Sequence, residues 1–421
     1  MYDRLLGFIN KHKIQYMYQF GFRADHSPNL ALLLLVDKLS KALEEGEYVL
    51  GLFLDFSKAF DTVNHTILFT KLEHYGIRGV ALNMFKSYLS NRHQYVVYND
   101  TKSENRVITC GVPQGSILGP LLFLLYINDL ADVSSVLFSL LFADDSNMFL
   151  TGNDPNELIR IMNTEIVKVV DWLRVNKLSL NLKKTHFILF RQQQRSKITI
   201  SEELIIDHVN IEMKDSTKFL GVMVDKFLNF EEHVKYIKGK ISRGLGIIRK
   251  CRRVFQQKTL VTIYNSFLLP YFNFCTPVWG NTHDSYLEPL ILLQKRAVRL
   301  VIGAKRNAHT DPIFKKLKLL KLRQIYIYSV QQFVYKYHHG LLPRIFDDFY
   351  STNSSFHYHH TRSQNLYRPP LVRTSRAART IRSVGVRTQT YFSTRLSMNC
   401  SLLTYKAALK RYIIENDVNT M

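Results

Sequence analysis

The stretch LFSLLFADDSNMFL, Leu137 to Leu150, sets two adjacent acids, Asp144 and Asp145, between two apolar runs. Leu, Phe and Met on both sides of a short polar centre predict a hairpin with buried strands. Acidic side chains are rarely buried unless they are paired or bound to a metal. An Asp-Asp pair is also ordinary turn chemistry, because Asp tolerates turn conformations. The rest of the sequence must decide between a plain turn and a site.

A third acid, Asp55 in GLFLDFSKAFDTVNH, closes an apolar run from Tyr48 to Phe56 that reads as a central strand. Alone, Asp55 could cap a following helix. If its strand and the hairpin are neighbours in one sheet, three carboxylates meet at one edge. Such a cluster repels itself and raises its own pKa values unless a cation sits there. Mg²⁺ takes carboxylate oxygens and keeps positions open for phosphate. Two such ions can serve the attacking and leaving oxygens of a phosphoryl transfer. The run GVPQGSILGPLLF, Gly111 to Phe123, adds a glycine-rich turn that opens onto a helix. Glycines let backbone approach a ligand, and helix N-termini favour anions. Gln114 can hydrogen-bond a base or sugar edge. An ordinary strand-to-helix turn has the same look.

Composition narrows the partners. The chain has 421 residues, 46% of them hydrophobic, enough for two or three domains. A formal net charge of +23 points to a polyanion, nucleic acid before anionic membrane. The four cysteines lie far apart with no CxxC, which argues against a zinc site or disulfide framework and for a reducing compartment. Met1 to Gln15 lacks the features of a signal peptide. LALLLLV and LGPLLFLLYI are too short to span a bilayer, so a soluble chain with no membrane partner is expected.

Periodicity predicts helices over Asn29–Leu43, Lys58–Gly76 and Gly79–Asn91, a hairpin from HQYVVYND and NRVITCGV, and a buried helix in QGSILGPLLFLLYINDL. An amphipathic helix is expected over Pro155–Asn176. Strands THFILF, SKITI, LIIDHVNIEM and TKFLGVMVD follow. After Leu228 the chain turns helical and basic, with helices over Tyr286–Ile302 and Thr310–His339. Beyond Ser351 only Glu415 and Asp417 are acidic.

Taken in order, these stretches resemble the reverse transcriptase of non-LTR, LINE-type, jockey-like retrotransposons. QFGFRADHSP is similar to the fingers block before the catalytic palm, LFLDFSKAFDTVNH to motif A and GVPQGSILGPLLFLLYINDL to motif B. FADDS is similar to motif C, WLRVNKLSLNLKKTHFILF to motif D and TKFLGVMVD to motif E, the primer grip. YFNFCTPVWGN and LLQKRAVRLVIGA are similar to the thumb and downstream region of the same elements.

The resemblance implies an α+β right-hand polymerase with an antiparallel-sheet palm, partial fingers and a mostly α-helical thumb and C-terminal region. Its expected divisions are 1–228 for partial fingers and palm, 229–350 for a helical thumb and connection, and 351–421 for a basic C-terminal tail. The implied activity is an RNA-directed DNA polymerase acting on an RNA template, a DNA primer and deoxynucleoside triphosphates. Asp55, Asp144 and Asp145 would be catalytic and hold two Mg²⁺ ions, with Mn²⁺ as the alternative. Phe60 would be the steric gate against a ribose 2′-OH. Gln114 and Gly115 would pack near the incoming nucleotide, and Lys183 or Lys184 would be the motif D lysine. Arg23 would meet the triphosphate, and Phe219, Leu220 and Gly221 would hold the primer end.

The family's earlier fingers block, of the form YRPIS, and its N-terminal endonuclease have no counterpart. An N-terminally truncated copy is therefore expected, and a nucleic-acid-binding remnant with impaired catalysis is the alternative to an active enzyme. The family implies an intracellular protein that acts in the nucleus. The oligomeric state is left open.

Overall fold

Strand Tyr48–Leu54 is buried at all seven positions, as its continuous apolar run requires of a strand covered on both faces. It pairs antiparallel with Asp145–Gly152, in a register that sets Tyr48 opposite Gly152 and Leu54 opposite Ser146. Asp145–Gly152 then pairs antiparallel with Phe138–Phe142. The full sheet runs Glu212–Met213, His186–Phe190, Tyr48–Leu54, Asp145–Gly152, Phe138–Phe142. The outer pair, Glu212–Met213 with His186–Phe190, is parallel, so the sheet is not wholly antiparallel as expected. The computed structural model describes residues 1–195, 198–352 and 366–419.

The described chain forms two compact units. The first comprises Met1–His26, Tyr48–Leu189 and Gln194–Lys214 and contains the sheet. Its core includes Leu50, Leu52, Leu54, Leu141 and Met148 from the strands, with helix residues Leu121, Leu122, Leu125, Ile159, Met162 and Ile166. Helix Leu118–Ile127 has nine of its ten residues buried, which fits a sequence apolar on every face. Helix Pro155–Val175 starts as its sequence predicts, with Pro155 in the first turn and the Asp154 side chain accepting from Asn156 N–H.

Several expected elements change. Lys58–Asn64 is not helical. The helix begins at His65, capped by the Asn64 side chain, which accepts from Ile67 N–H. The backbone before it is used elsewhere, since Gly111 and Val112 N–H donate to Val63 and Phe60 carbonyls. The SKITI stretch is not a strand over 198–200, and residues 196 and 197 lie outside the described set. There the Asn156 side chain takes Ser201 N–H, tying the segment to a helix instead of a sheet. LIIDHVNIEM splits into Ile205–Ile206, Val209–Asn210 and Glu212–Met213 around left-handed Asp207 and His208.

The second unit comprises Ser27–Glu47, Phe190–Gln193 and Asp215–Met421. Helix Pro28–Glu45 has a capping Ser27 and ends at left-handed Gly46. The hairpin Ser216–Phe219 with Val222–Asp225 goes with this unit rather than with the sheet. Helices Glu231–Cys251 and Asp284–Ile302 pack on each other. The span expected as one helix over Thr310–His339 is two, Asp311–Leu317 and Leu322–His338, because Lys318 takes a left-handed conformation between them. The basic region after Ser351 is not a separate tail over its described residues. It carries helices Ile381–Ser393 and Leu402–Glu415, and both pack on Leu322–His338. Arg382 Nε donates to both oxygens of buried Asp37, at 2.7 and 2.9 Å, which joins helix Pro28–Glu45 to Ile381–Ser393. No helix among the described residues is long and apolar enough to cross a membrane.

Candidate active site

The strand register brings the acids together. Leu54 is opposite Ser146, so one step further on stand Asp55 and Asp145 at the same end of neighbouring strands. Phe142 pairs with Asp145, which leaves Ala143 and Asp144 as a two-residue turn. Ala143 has φ +55°, a conformation that L-residues occupy at a cost. Asp145 keeps solvent contact, yet its carboxyl is pushed up to about 6 by burial first, then by the charges of Asp144 and Asp55. The Asp145 carboxyl therefore senses both of the others.

They do not close into a cage. Among the described residues no three His, Cys, Asp or Glu side chains are gathered at metal-ligand spacing. The acids lie at one end of neighbouring strands without forming a finished ligand set among the described residues. Like charges repel, and the cation beside Asp55 is the Lys184 ammonium, 3.7 Å from Oδ2. Carboxylate oxygens are the ligand type a hard divalent ion takes. Lys183 is exposed and lies next to Lys184, which is the lysine that reaches Asp55.

Asp55 is fixed through its backbone. Its carbonyl accepts from Asn181 N–H at 2.7 Å, and Ser57 N–H donates to Ser179. The stretch before strand His186–Phe190 is thus stitched to the end of strand Tyr48–Leu54. Phe60 is half-buried, stacked on Phe123 at 4.2 Å and edge-on to exposed Phe22 at 6.1 Å. It packs against the core and still borders solvent.

The glycine turn lies against the same loop. A Cβ on Gly111 would meet the Asp61 carbonyl at 2.8 Å, and Gly119 would meet that of Pro113 at 2.6 Å. Gly115 has open space but φ +80°, so backbone conformation is its requirement. Gln114 is exposed, and its Nε2 donates to Asp61 Oδ1 at 2.8 Å. That bond turns the amide so that Oε1 is left to accept. Asp61 is a residue the sequence reading passed over; its place six residues after Asp55 was the available signal.

Arg23 is partly engaged within its own segment. Its Nη1 donates to the Tyr16 and Gln19 carbonyls at 2.8 and 3.1 Å, and this part of the guanidinium holds its own loop. Phe219, Leu220 and Gly221 belong to the second unit, at the tight turn of hairpin Ser216–Asp225. Phe219 is buried, and Leu220 and Gly221 have φ +44° and +89°. Two positive φ values are those of a type I′ hairpin turn.

Residues 3–224, just over half of the chain, match the family model described as reverse transcriptase (RNA-dependent DNA polymerase). The chain belongs to the reverse transcriptase family. The chain is 28% identical over 324 residues to the "Probable RNA-directed DNA polymerase from transposon X-element" of Drosophila melanogaster, covering 75% of this chain and 35% of that one. It is 28% identical over 334 residues to the "RNA-directed DNA polymerase from mobile element jockey" of the same species, covering 76% and 36%. The jockey-like resemblance read from the motifs is borne out. The chain spans little more than a third of the length of these curated relatives. A solved telomerase from Candida albicans is similar over 78% of this chain and 53% of its own, at 12% identity and a TM-score of 0.36, too distant for structural detail to be carried across.

Proposed function

We propose that this chain is the RNA-directed DNA polymerase of a non-LTR retrotransposon, extending a DNA primer on an RNA template with deoxynucleoside triphosphates. The observation that carries the reading is the placement of Asp55 and Asp145 at the same end of adjacent strands, one step beyond the Leu54–Ser146 pair, beside Asp144 in the turn. The sheet unit is the palm with partial fingers of a right-hand polymerase, and the helical unit is thumb and connection. Asp55, Asp144 and Asp145 hold Mg²⁺, as two ions, or Mn²⁺. Divalent ions bound there supply charge neutralisation for the triphosphate and acidify a primer 3′-hydroxyl.

The remaining roles belong to the chain's own side chains. Phe60 presents a rigid ring edge against a ribose 2′-OH. Gln114 Oε1 accepts from nucleotide or template, oriented by Asp61, and Gly115 gives the turn its shape. Lys184, rather than Lys183, supplies a proton to the leaving pyrophosphate; its distance from Asp55 supports this choice. Phe219, Leu220 and Gly221 hold the primer end. Arg23 braces its loop through Nη1 and meets the triphosphate with the rest of its guanidinium. Basic helices of the second unit bind backbone phosphates, with strong salt dependence. The site of action is intracellular and nuclear.

The test is primer extension on oligo(dT)-primed poly(rA) with Mg²⁺, beside Asp144→Ala. Extension by the parent and not by the variant is expected. If neither extends while both retard the primed template in a gel, the chain is a binding remnant and the polymerase reading fails.

A further inference from the structure

Ala143, in the acid-bearing turn, has a strained φ of +55°, and nothing within a two-residue turn holds an alanine there. The support comes from a distant segment. Gln19 is 3% exposed, and its Oε1 accepts from Ala143 N–H at 2.9 Å and from Gly21 N–H at 2.8 Å. On either side of Gln19 the backbone lies along the edge strand. Phe20 N–H donates to the Leu141 carbonyl at 2.8 Å, and Leu141 N–H to that of Tyr18 at 3.1 Å. Gly21 lies so close that a Cβ there would be 2.2 Å from Ala143 N.

The segment is itself anchored. The Asn128 side chain, at the end of the glycine-turn helix, accepts from Tyr16 N–H and donates to the Ile14 carbonyl, both at 2.8 Å. Tyr16 Oη donates to the Ser139 carbonyl at 3.0 Å. Arg23 closes the loop onto Tyr16 and Gln19.

We infer that Gln19 is a positioning residue for catalysis: through the Ala143 amide it fixes the turn that presents Asp144 and Asp145 beside Asp55. The inference rests on the polymerase reading for its kinetic consequence, but its structural half stands alone. The Gln19 amide nitrogen is buried without a hydrogen-bond partner among the described residues. The side chain is therefore used as an acceptor only. Glu offers the same acceptor at the same reach, protonated or ionised, and Met offers the volume without it.

The test compares Gln19→Met and Gln19→Glu in the full chain. In primer extension, Gln19→Met is expected to lower kcat about tenfold or more and raise the half-saturating Mg²⁺ concentration about threefold or more, with KM for primed template within about twofold, since misplacing reacting groups by about 1 Å costs that much. Gln19→Glu is expected to recover most of the loss. Hydrogen exchange over the peptide containing Ala143 is the second readout and needs no activity. Gln19→Met should speed exchange of that amide while the ladder from Phe149 to Gly152 stays protected, and Gln19→Glu should restore it. Unchanged exchange at Ala143 in Gln19→Met overturns the inference, as does a Gln19→Glu no better than Gln19→Met in both readouts. A parent chain that extends no primer removes the polymerase reading, and the exchange arm still decides whether Gln19 holds the turn.

Discussion

Replacing Arg382 with Met should unsettle the second unit by an amount set by Asp37. The Asp37 side chain is 9% exposed, and Arg382 is its ion-pair partner at 2.7 Å. The same guanidinium donates Nη1 to the Phe349 carbonyl at 2.6 Å and lies 4.0 Å from the Phe349 ring centre. Breaking a buried pair from one side typically costs about 3–5 kcal/mol, because the other charge is left stranded. Arg382 is 39% exposed, so solvent screens part of this, and about 2–3 kcal/mol is expected. Burial already pushes the Asp37 carboxyl up, against the pull of Arg382. Without the arginine it rises further. A folded pKa above the unfolded one means stability lost as pH rises through that window and regained as it falls. The Arg382→Met deficit should therefore shrink as pH falls from neutral toward the raised carboxyl value. Removing both charges in Asp37→Leu/Arg382→Met should bring stability back to within about 1 kcal/mol of the parent. The assay is urea unfolding followed by Trp279, which is fully buried in a helix that packs on Pro28–Glu45, in a Trp172→Phe background. A loss below about 0.5 kcal/mol in the single variant, or a double variant as unstable as the single, would refute the reasoning.

Lys184→Met should lower kcat roughly 100-fold with little change in KM, while Lys183→Met stays within about threefold of the parent; equal losses would sink the assignment of Lys184 as proton donor. Phe60→Val should relax discrimination against ribonucleotides about 10- to 100-fold, read as the ratio of kcat/KM for dNTP and rNTP; an unchanged ratio leaves Phe60 as packing for Phe123. His233 is buried, accepts from Met223 N–H at 3.3 Å, and has its pKa lowered by burial from 6.5 to about 4. Its contribution is present above the unfolded value and lost as pH falls toward 4. The parent should lose about 2 kcal/mol from this group between pH 7 and pH 5, and His233→Phe should remove that part of the slope. Equal slopes for the two proteins would count against it.

The sheet was legible because strand Tyr48–Leu54 is apolar at every position and the acid pair is flanked by apolar runs, a pattern that a surface helix does not produce. Asp55 and the Asp144–Asp145 pair could be placed at strand ends for the same reason. What could not be read was anything decided by one side chain reaching across the chain. Asn64 moves a helix start by seven residues from the expected Lys58, because it caps while Val63 and Phe60 carbonyls serve the glycine turn. Lys183 and Lys184 are equivalent in sequence, and only the distance from Asp55 separates them. Gln19 lies in a stretch the motif reading quoted, yet its acceptor role depends on a backbone amide 124 positions away. The region after Ser351 looked like a loose basic tail because its apolar residues are sparse. Its helices are held by burying Ile381, Val384, Val386, Phe392, Tyr405, Leu409 and Ile413 against partners far earlier in the chain.

The link between Asp37 and Arg382 also sets a clock on synthesis. The two residues are 345 positions apart. Translation at about 5–20 residues per second takes roughly 17–70 s to cover that distance. Throughout that time the leucine-rich helix Pro28–Glu45 is already out of the ribosome and lacks Ile381–Ser393. The second unit cannot complete its packing until its last helices emerge, while the sheet unit has all of its strands by Met213. A nascent chain halted between those points would pair a finished sheet with an apolar helix open to chaperones and to self-association.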